Sequence, residues 1–92
     1  MIKTFKCRQT QTLFETGQSR RWSGVLSVAQ RKLTQLQMAH ELKDLASPPG
    51  NRLEALRGDR AGQYSIRIND QWRVCFRWTD TGPEDVEIVD YH

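Results

Sequence analysis

The chain has 92 residues, of which 37% are hydrophobic and 27% are charged, with a formal net charge of +3. This length predicts one domain over residues 1–92 with one modest core, and the hydrophobic content excludes a disordered chain. No apolar run approaches the roughly 20 residues that span a bilayer, which argues against a membrane protein. The start of the chain is not typical of a signal peptide, so we expect a cytoplasmic protein with Cys7 and Cys75 reduced.

The first half of the chain is predicted to be helical after one short strand. Residues 2–8 have the strand-like pattern, and residues 10–16 have the spacing of one or two helical turns that end at a glycine. A longer helical stretch covers residues 25–45. Its apolar side chains change face between Leu36 and Ala39, which predicts a break into a longer and a shorter helix.

The second half of the chain is predicted to be β. After a proline-containing break at residues 47–51, short apolar or alternating segments cover residues 53–56, 63–69, 72–78 and 86–91. Helices first and antiparallel strands second predict an α+β fold. We expect a twisted, mainly antiparallel sheet with two to three N-terminal helices packed on one face.

Period-two alternation assigns the strand residues to two faces of this sheet. The even-numbered apolar side chains of the two central strands would face the helices. The opposite face would then carry arginines, a thiol and alternate residues of the last strand, namely Arg67, Arg73, Arg77, Cys75, Glu87, Val89 and Tyr91. Arg57 and Arg60, in and beside a loop with two glycines, would close this surface from one edge.

The charged residues of the second half point to chemistry on RNA. From Arg52 to Arg77 there are six arginines and no lysine, and guanidinium groups bind phosphates and stack on bases. Asp90, Tyr91 and His92 follow the last strand and supply a carboxylate, a phenol and an imidazole. RNA carries its own nucleophile, the 2′-hydroxyl, so a ribonuclease needs proton carriers and a cation that stabilises the phosphorane. The pattern therefore predicts cleavage of a phosphodiester without a metal or another cofactor.

Plainer interpretations of the same residues remain open. Arginines on an outer strand face can simply keep a protein soluble, and the last three residues can be a solvated tail. Glu54 is either a base or a solvated charge on an edge strand. The basic face also suits a non-catalytic protein that binds RNA or ribosomes and blocks translation or ribosome assembly. An interaction module for a DNA-binding partner explains the basic face less well.

Two blocks of the sequence resemble HigB toxins, which are also called plasmid-maintenance killer proteins and belong to the RelE-like superfamily. They are NRLEALRGDRAGQYSIRINDQWRVCFRW, residues 51–78, and VEIVDYH, residues 86–92. The resemblance implies a RelE-like fold and a bacterial type II toxin that cuts mRNA at the ribosomal A site without a metal. It also implies a HigA-like helix-turn-helix antitoxin, and contact with operator DNA only through that antitoxin.

The resemblance also implies roles for individual positions. Arg57 matches a basic position that contacts the scissile region, Arg67 and Arg73 match phosphate-binding arginines, and the last three residues match the catalytic group. The candidate catalytic residues are therefore Arg73, Asp90, Tyr91 and His92. The candidate RNA- or phosphate-binding residues are Arg57 and Arg67 from the resemblance, with Arg60 and Arg77 added from the assignment of faces. Some relatives carry a histidine where this chain has Glu54, which is a possible site residue that cannot bring positive charge to a phosphate.

Overall fold

The computed structural model describes residues 1–90, and Tyr91 and His92 lie outside the described residues. Helix α1 covers Arg8–Thr16 and helix α2 covers Leu26–Met38. The strands are β1 at Glu54–Ala55, β2 at Gln63–Arg67, β3 at Trp72–Thr79 and β4 at Gly82–Asp90. Short 3₁₀ turns lie at Ser23–Val25, Leu42–Ala46, Pro49–Asn51 and Gly58–Arg60.

The four strands form one antiparallel sheet in the order β1-β2-β3-β4, and the helices pack on one of its faces. The α+β prediction is therefore confirmed. Strand β4 begins at Gly82, earlier than the predicted start at residue 86. The reason is an irregularity near Asp85, where the backbone has a φ of +54° and the register with β3 shifts between Cys75 and Arg77. Such a bulge interrupts the alternation from which a strand is predicted.

The core lies between the helices and the sheet. Its fully buried members come from both layers and include Leu13, Leu33, Leu36, Ile66, Val74, Phe76 and Val86. The side chains of β2 and β3 that contribute to it are the even-numbered ones, as the alternation predicts. The odd-numbered side chains of these strands consequently lie on the face away from the helices.

The ends of the helices follow the predicted signals. Helix α1 ends at Gly17, whose φ of +74° is left-handed and whose N–H donates to the Leu13 carbonyl at 2.8 Å. Helix α2 ends at Met38 because Ala39 adopts an extended conformation. The predicted break is thus confirmed, although the segment beyond it is only a 3₁₀ turn.

The prediction of a strand over residues 2–8 is wrong. Phe5 forms a single isolated parallel bridge with Val86. Three backbone hydrogen bonds join the segment to β4, from the Lys3 N–H to the Pro83 carbonyl, from the Lys6 N–H to the Val86 carbonyl and from the Val86 N–H to the Thr4 carbonyl, at 2.8, 3.0 and 3.1 Å. The segment is extended and lies beside β4. It forms no continuous ladder because β4 is irregular near Asp85 and because helix α1 already begins at Arg8.

Candidate functional site

The register of the sheet places the strand arginines on one face. Arg67 of β2 lies directly opposite Arg73 of β3, and Arg77 lies opposite Gln63. Cys75 lies between its two partners, Ser65 on β2 and Glu87 on β4. Residues that are directly opposite in an antiparallel pair project to the same side. We call this side, which carries Arg67, Arg73 and Arg77 and points away from the helices, the arginine face.

Arg73 lies in the floor of the arginine face. Its residue is only 7% exposed. Its Nε donates to Ser65 Oγ at 2.7 Å, and its Nη2 donates to the Arg52 carbonyl at 2.6 Å and to the Ser65 carbonyl at 3.4 Å. Glu54 Oε1 lies 3.7 Å from the same Nε. The guanidinium is therefore held in one orientation before any ligand arrives.

Arg67 is more accessible than Arg73 and pairs within its own hairpin. Its Nη2 lies 2.5 Å from Asp70 Oδ1, and the Asp70 side chain is fully exposed. The hydrogen bond from Arg67, followed by the charge of that guanidinium, lowers the pKa of Asp70. An exposed pair of this kind contributes little stability, so a phosphate can compete with Asp70 for Arg67.

Arg60 covers the middle of the arginine face. Its Nη1 donates to Gln63 Oε1 at 3.0 Å and to Glu87 Oε2 at 3.2 Å. Cys75 is fully buried in this part of the face, and its burial raises the pKa of its thiol to about 11. The neighbouring charges act in both directions, since Arg60 lowers that pKa and Glu87 raises it. Cys75 is therefore a neutral thiol near neutral pH and a poor nucleophile.

A cleft of about 510 Å³ borders the face at the β1 edge, and it is lined by Glu54, Ala55, Leu56, Arg57 and Arg60. Arg57 is exposed and makes no ion pair with any residue in the range 1–90. Arg77 lies four positions along β3 from Arg73, a distance of about 13 Å for an extended chain. Its Nε lies 3.6 Å from Asp85 Oδ2. Arg57 thus borders the face at its β1 edge, whereas Arg77 lies on the face itself, away from Arg73.

Asp90 is the last described residue of β4 and lies at the same end of the sheet as Arg67 and Arg73. It is opposite Trp72, while its neighbour Val89 is opposite Arg73. Gln71 Nε2 donates to Asp90 Oδ2 at 3.1 Å. The predicted catalytic residues Tyr91 and His92 follow directly in the chain and lie outside the described residues. The structure therefore brings Glu54, Arg67, Arg73 and Asp90 to one end of the sheet. Asp90 pairs with the core-packed Trp72, so its side chain projects to the face opposite that of Arg73.

Sequence reasoning missed the groups that hold Arg73. Ser65 accepts from it on the arginine face, and its position opposite Cys75 follows from period two once the register is known. The carbonyl of Arg52 has no sequence signal. That residue has a φ of +46°, a left-handed conformation that is uncommon outside glycine and that turns its carbonyl towards Arg73.

Residues 1–90 contain no group of three or more His, Cys, Asp or Glu side chains placed to hold a metal ion. In the same range, no helix has the length and apolar character needed to cross a bilayer.

The fold is similar to that of a solved bacterial toxin. The structure is similar to that of a YoeB/ParE toxin from Agrobacterium tumefaciens, with a TM-score of 0.56 and 20% identity over 98% of this chain and 99% of that chain. The two-helix, four-strand arrangement is thus the RelE-like fold of bacterial toxins.

The family follows from the sequence. Residues 3–92 match the model of a family described as the RelE-like toxin of the type II toxin–antitoxin system HigB. The chain is 38% identical to Toxin HigB-1 of Vibrio cholerae over 82 residues, which cover 87% of this chain and 86% of that protein. It is 31% identical to Endoribonuclease HigB of Proteus vulgaris over an alignment of length 96, which covers 100% of both chains. The chain belongs to the HigB-like toxin family, as the two sequence blocks indicated.

Membership of this family establishes what kind of system the protein serves. It is a toxin of a type II toxin–antitoxin system, and such a system implies an antitoxin partner.

Proposed function

We propose that this toxin is an endoribonuclease that cleaves ribosome-bound mRNA without a metal and uses the RNA 2′-hydroxyl as the nucleophile. The observation that carries the proposal is that Arg67 and Arg73 lie directly opposite each other at the end of the sheet where β4 reaches Asp90. Like charges directly opposite are unfavourable in a sheet, and a phosphate between them would remove the repulsion. The name of the Proteus vulgaris relative, Endoribonuclease HigB, supports the same activity.

In the proposed reaction, the 2′-oxygen of one nucleotide attacks the adjacent phosphorus, and the bond from phosphorus to the 5′-oxygen of the next nucleotide breaks. A base accepts the 2′-hydroxyl proton, and an acid donates a proton to the departing 5′-oxygen. The products are a 2′,3′-cyclic phosphate and a 5′-hydroxyl. Arg73 is proposed to stabilise the charge of the phosphorane, because a cation already fixed by Ser65 and the Arg52 carbonyl needs little reorganisation during the reaction.

The other arginines are proposed to bind the RNA backbone. Arg67 shares the phosphate with Arg73, and its partner Asp70 is exposed and easily displaced. Arg57 and Arg60 line the cleft beside β1 and suit a neighbouring phosphate. Arg77, about 13 Å along β3, suits a phosphate further along the strand.

Asp90, Tyr91 and His92 are proposed to carry the protons. Tyrosine and histidine are both chemically suited to accept the 2′-proton, and a tyrosine base needs a pKa lowered by a nearby cation such as arginine. Tyr91 and His92 lie outside the described residues, and their assignment rests on chain position beside Asp90.

The proposed partners follow from the family and the substrate. The antitoxin is proposed to be HigA-like, with a helix-turn-helix domain through which the pair contacts operator DNA. A ribosomal substrate would place the toxin in the cytoplasm.

Purified protein incubated with an mRNA, with and without programmed ribosomes, tests this function. RNA ends are mapped by primer extension, and EDTA is added to the reactions on free RNA. We expect cleavage only on ribosomes, at in-frame positions, and loss of cleavage when Tyr91 and His92 are deleted. Arg20→Ala, a change at an exposed arginine outside the arginine face, is the matched control. Ribosome binding without any cleavage would contradict the proposal and favour a non-catalytic protein that obstructs translation or ribosome assembly.

A further inference from the structure

A buried polar cluster joins helix α2 to the loop that precedes β1. Lys32 Nζ donates to Asn51 Oδ1 at 2.5 Å. Asn51 Nδ2 lies 2.9 Å from Gln35 Oε1, 3.1 Å from the Leu45 carbonyl and 3.4 Å from the Ser47 carbonyl. Asn51 is fully buried, and both polar atoms of its side chain have partners. One side chain therefore fixes the position of this loop against α2.

The residue after Asn51 is the one that holds Arg73 from the loop side. Arg52 has a φ of +46°, a strained left-handed conformation that persists only where the surrounding structure imposes it. Its N–H donates to the Pro49 carbonyl at 3.1 Å, and its own carbonyl accepts from Arg73 Nη2 at 2.6 Å. The fixed side chain of Asn51 and the bound guanidinium of Arg73 are thus separated by one residue of constrained backbone.

The choice of lysine at position 32 points to a role beyond filling space. Lys32 is 8% exposed and lies on the buried stripe of α2 with Ala29, Leu33 and Leu36. Within residues 1–90 it forms no ion pair, and its hydrogen-bond partner is an amide oxygen. A buried ammonium with such a partner is costly, whereas methionine would fill the stripe at little cost. A lysine at this position is explained if its hydrogen bond is needed to hold the Asn51 amide, and with it the loop before β1, in place.

We propose that Asn51, held by Lys32, is a positioning residue for Arg73. Asn51 fixes the left-handed Arg52, the Arg52 carbonyl orients the Arg73 guanidinium, and Arg73 meets the phosphate. The catalytic part of this proposal rests on the proposed ribonuclease function. Its structural part, that Asn51 and Lys32 order the guanidinium, stands independently of any activity.

The test measures the order of Arg73 and the reaction separately. Hydrogen exchange at the Arg73 guanidinium is followed by ¹⁵N NMR, with its signals assigned from the spectrum of Arg73→Lys. Single-turnover cleavage is measured on programmed ribosomes across protein concentrations. For Asn51→Ala we expect guanidinium hydrogen exchange to become about tenfold faster and cleavage to become about tenfold slower. For Lys32→Met we expect changes of about threefold in the same directions. The half-saturating concentration should stay within about twofold, because positioning affects the transition state more than binding.

Leu13→Val is the control, since it removes a buried methylene from α1 outside the polar cluster around Asn51 and should change neither readout. If Asn51→Ala does not fold, Lys32→Met decides alone. Unchanged exchange in a folded variant would overturn the proposal, as would equal changes in Leu13→Val. Faster exchange with an unchanged cleavage rate would overturn the catalytic part. If the wild-type protein does not cleave, the proposed function fails. Hydrogen exchange at the Arg73 guanidinium then still decides whether Asn51 and Lys32 order that group.

Discussion

Glu54 Oε1 lies 3.7 Å from the Nε of Arg73, so a carboxylate borders the guanidinium that we expect to bind phosphate. The Glu54 side chain is 44% exposed, and it lies on β1 opposite Ser65, the residue that also holds Arg73. This contact favours a role for Glu54 in orienting Arg73 over a role as the base that takes the 2′-proton.

Glu54→Gln separates these two roles. The amide keeps the shape of the side chain and removes a negative charge that repels the incoming phosphate. We expect the half-saturating concentration for programmed ribosomes to fall by about threefold and the single-turnover rate to stay within about twofold. A fall in rate of a hundredfold or more would show instead that Glu54 is a proton carrier.

Arg67→Thr should cost activity but little stability. It removes the like charge opposite Arg73 together with an exposed ion pair, so we expect the free energy of unfolding to change by no more than about 0.5 kcal/mol. Cleavage should fall at least about tenfold, because one of the two cations that share the phosphate is lost.

Arg77→Thr is the matched control for this change, because Arg77 is on the same face about 13 Å from Arg73 and should matter less. Urea unfolding and single-turnover cleavage measure both quantities. Equal losses of activity in the two variants would contradict a phosphate site centred on Arg67 and Arg73.

The contribution of Lys32 to the stability of the protein should rise at alkaline pH. Burial, followed by the charges of Arg31 and Arg67, lowers the pKa of Lys32 below 10.5. At Lys32 the unfolded chain therefore binds more protons than the folded protein between the lowered pKa and 10.5, and the contribution of this residue to stability increases with pH across that window. The raised pKa of Cys75 acts in the opposite direction, and the difference between wild type and Lys32→Met removes it because both proteins carry Cys75. The difference in unfolding free energy between wild type and Lys32→Met should rise in this window and stay flat at lower pH.

Lys43→Met provides the control, since the Lys43 side chain is 80% exposed and the variant loses the same formal charge. Urea titrations at a series of pH values provide the measurement. A difference between wild type and Lys32→Met that is constant up to pH 10.5 would contradict the assignment of a lowered pKa to Lys32.

Cys75 should be unreactive while the protein is folded. Its thiol is fully buried and its pKa is raised to about 11, so at pH 8 only about one molecule in a thousand carries the thiolate. In Cys7→Ser protein, a disulfide reagent should label Cys75 slowly in buffer and rapidly in denaturing urea. Labelling in buffer at the rate of free cysteine would contradict the packing of this face under Arg60 and Glu87.

Much of the sheet was predictable because its period-two pattern is regular. The pattern assigned Arg67, Arg73 and Cys75 to one face, and the register confirms it. The bulge at Asp85 and the left-handed backbone at Arg52 were not predictable, because a non-glycine residue with positive φ leaves no local signal. The start of β4 and the carbonyl that holds Arg73 therefore emerged only from the structure.

The burial of Arg73 was also missed, for a related reason. Alternation predicts which way a side chain points, but not whether long neighbours cover it. Arg73 is on the face away from the helices and is nevertheless buried, beside Ser65 and Glu54. The sequence does show a lysine, Lys32, within the apolar stripe of a helix. Its role could be inferred only once the structure showed that its ammonium donates to Asn51.

The chemical ends of the cleaved RNA test the central claim most directly. Fragments from a programmed-ribosome reaction are examined for the group on the upstream 3′-end and on the downstream 5′-end. Attack by the RNA 2′-hydroxyl, assisted by Arg73 and the last three residues, predicts a 2′,3′-cyclic phosphate and a 5′-hydroxyl. A 3′-hydroxyl paired with a 5′-phosphate would mean that water was the nucleophile, and would contradict the account.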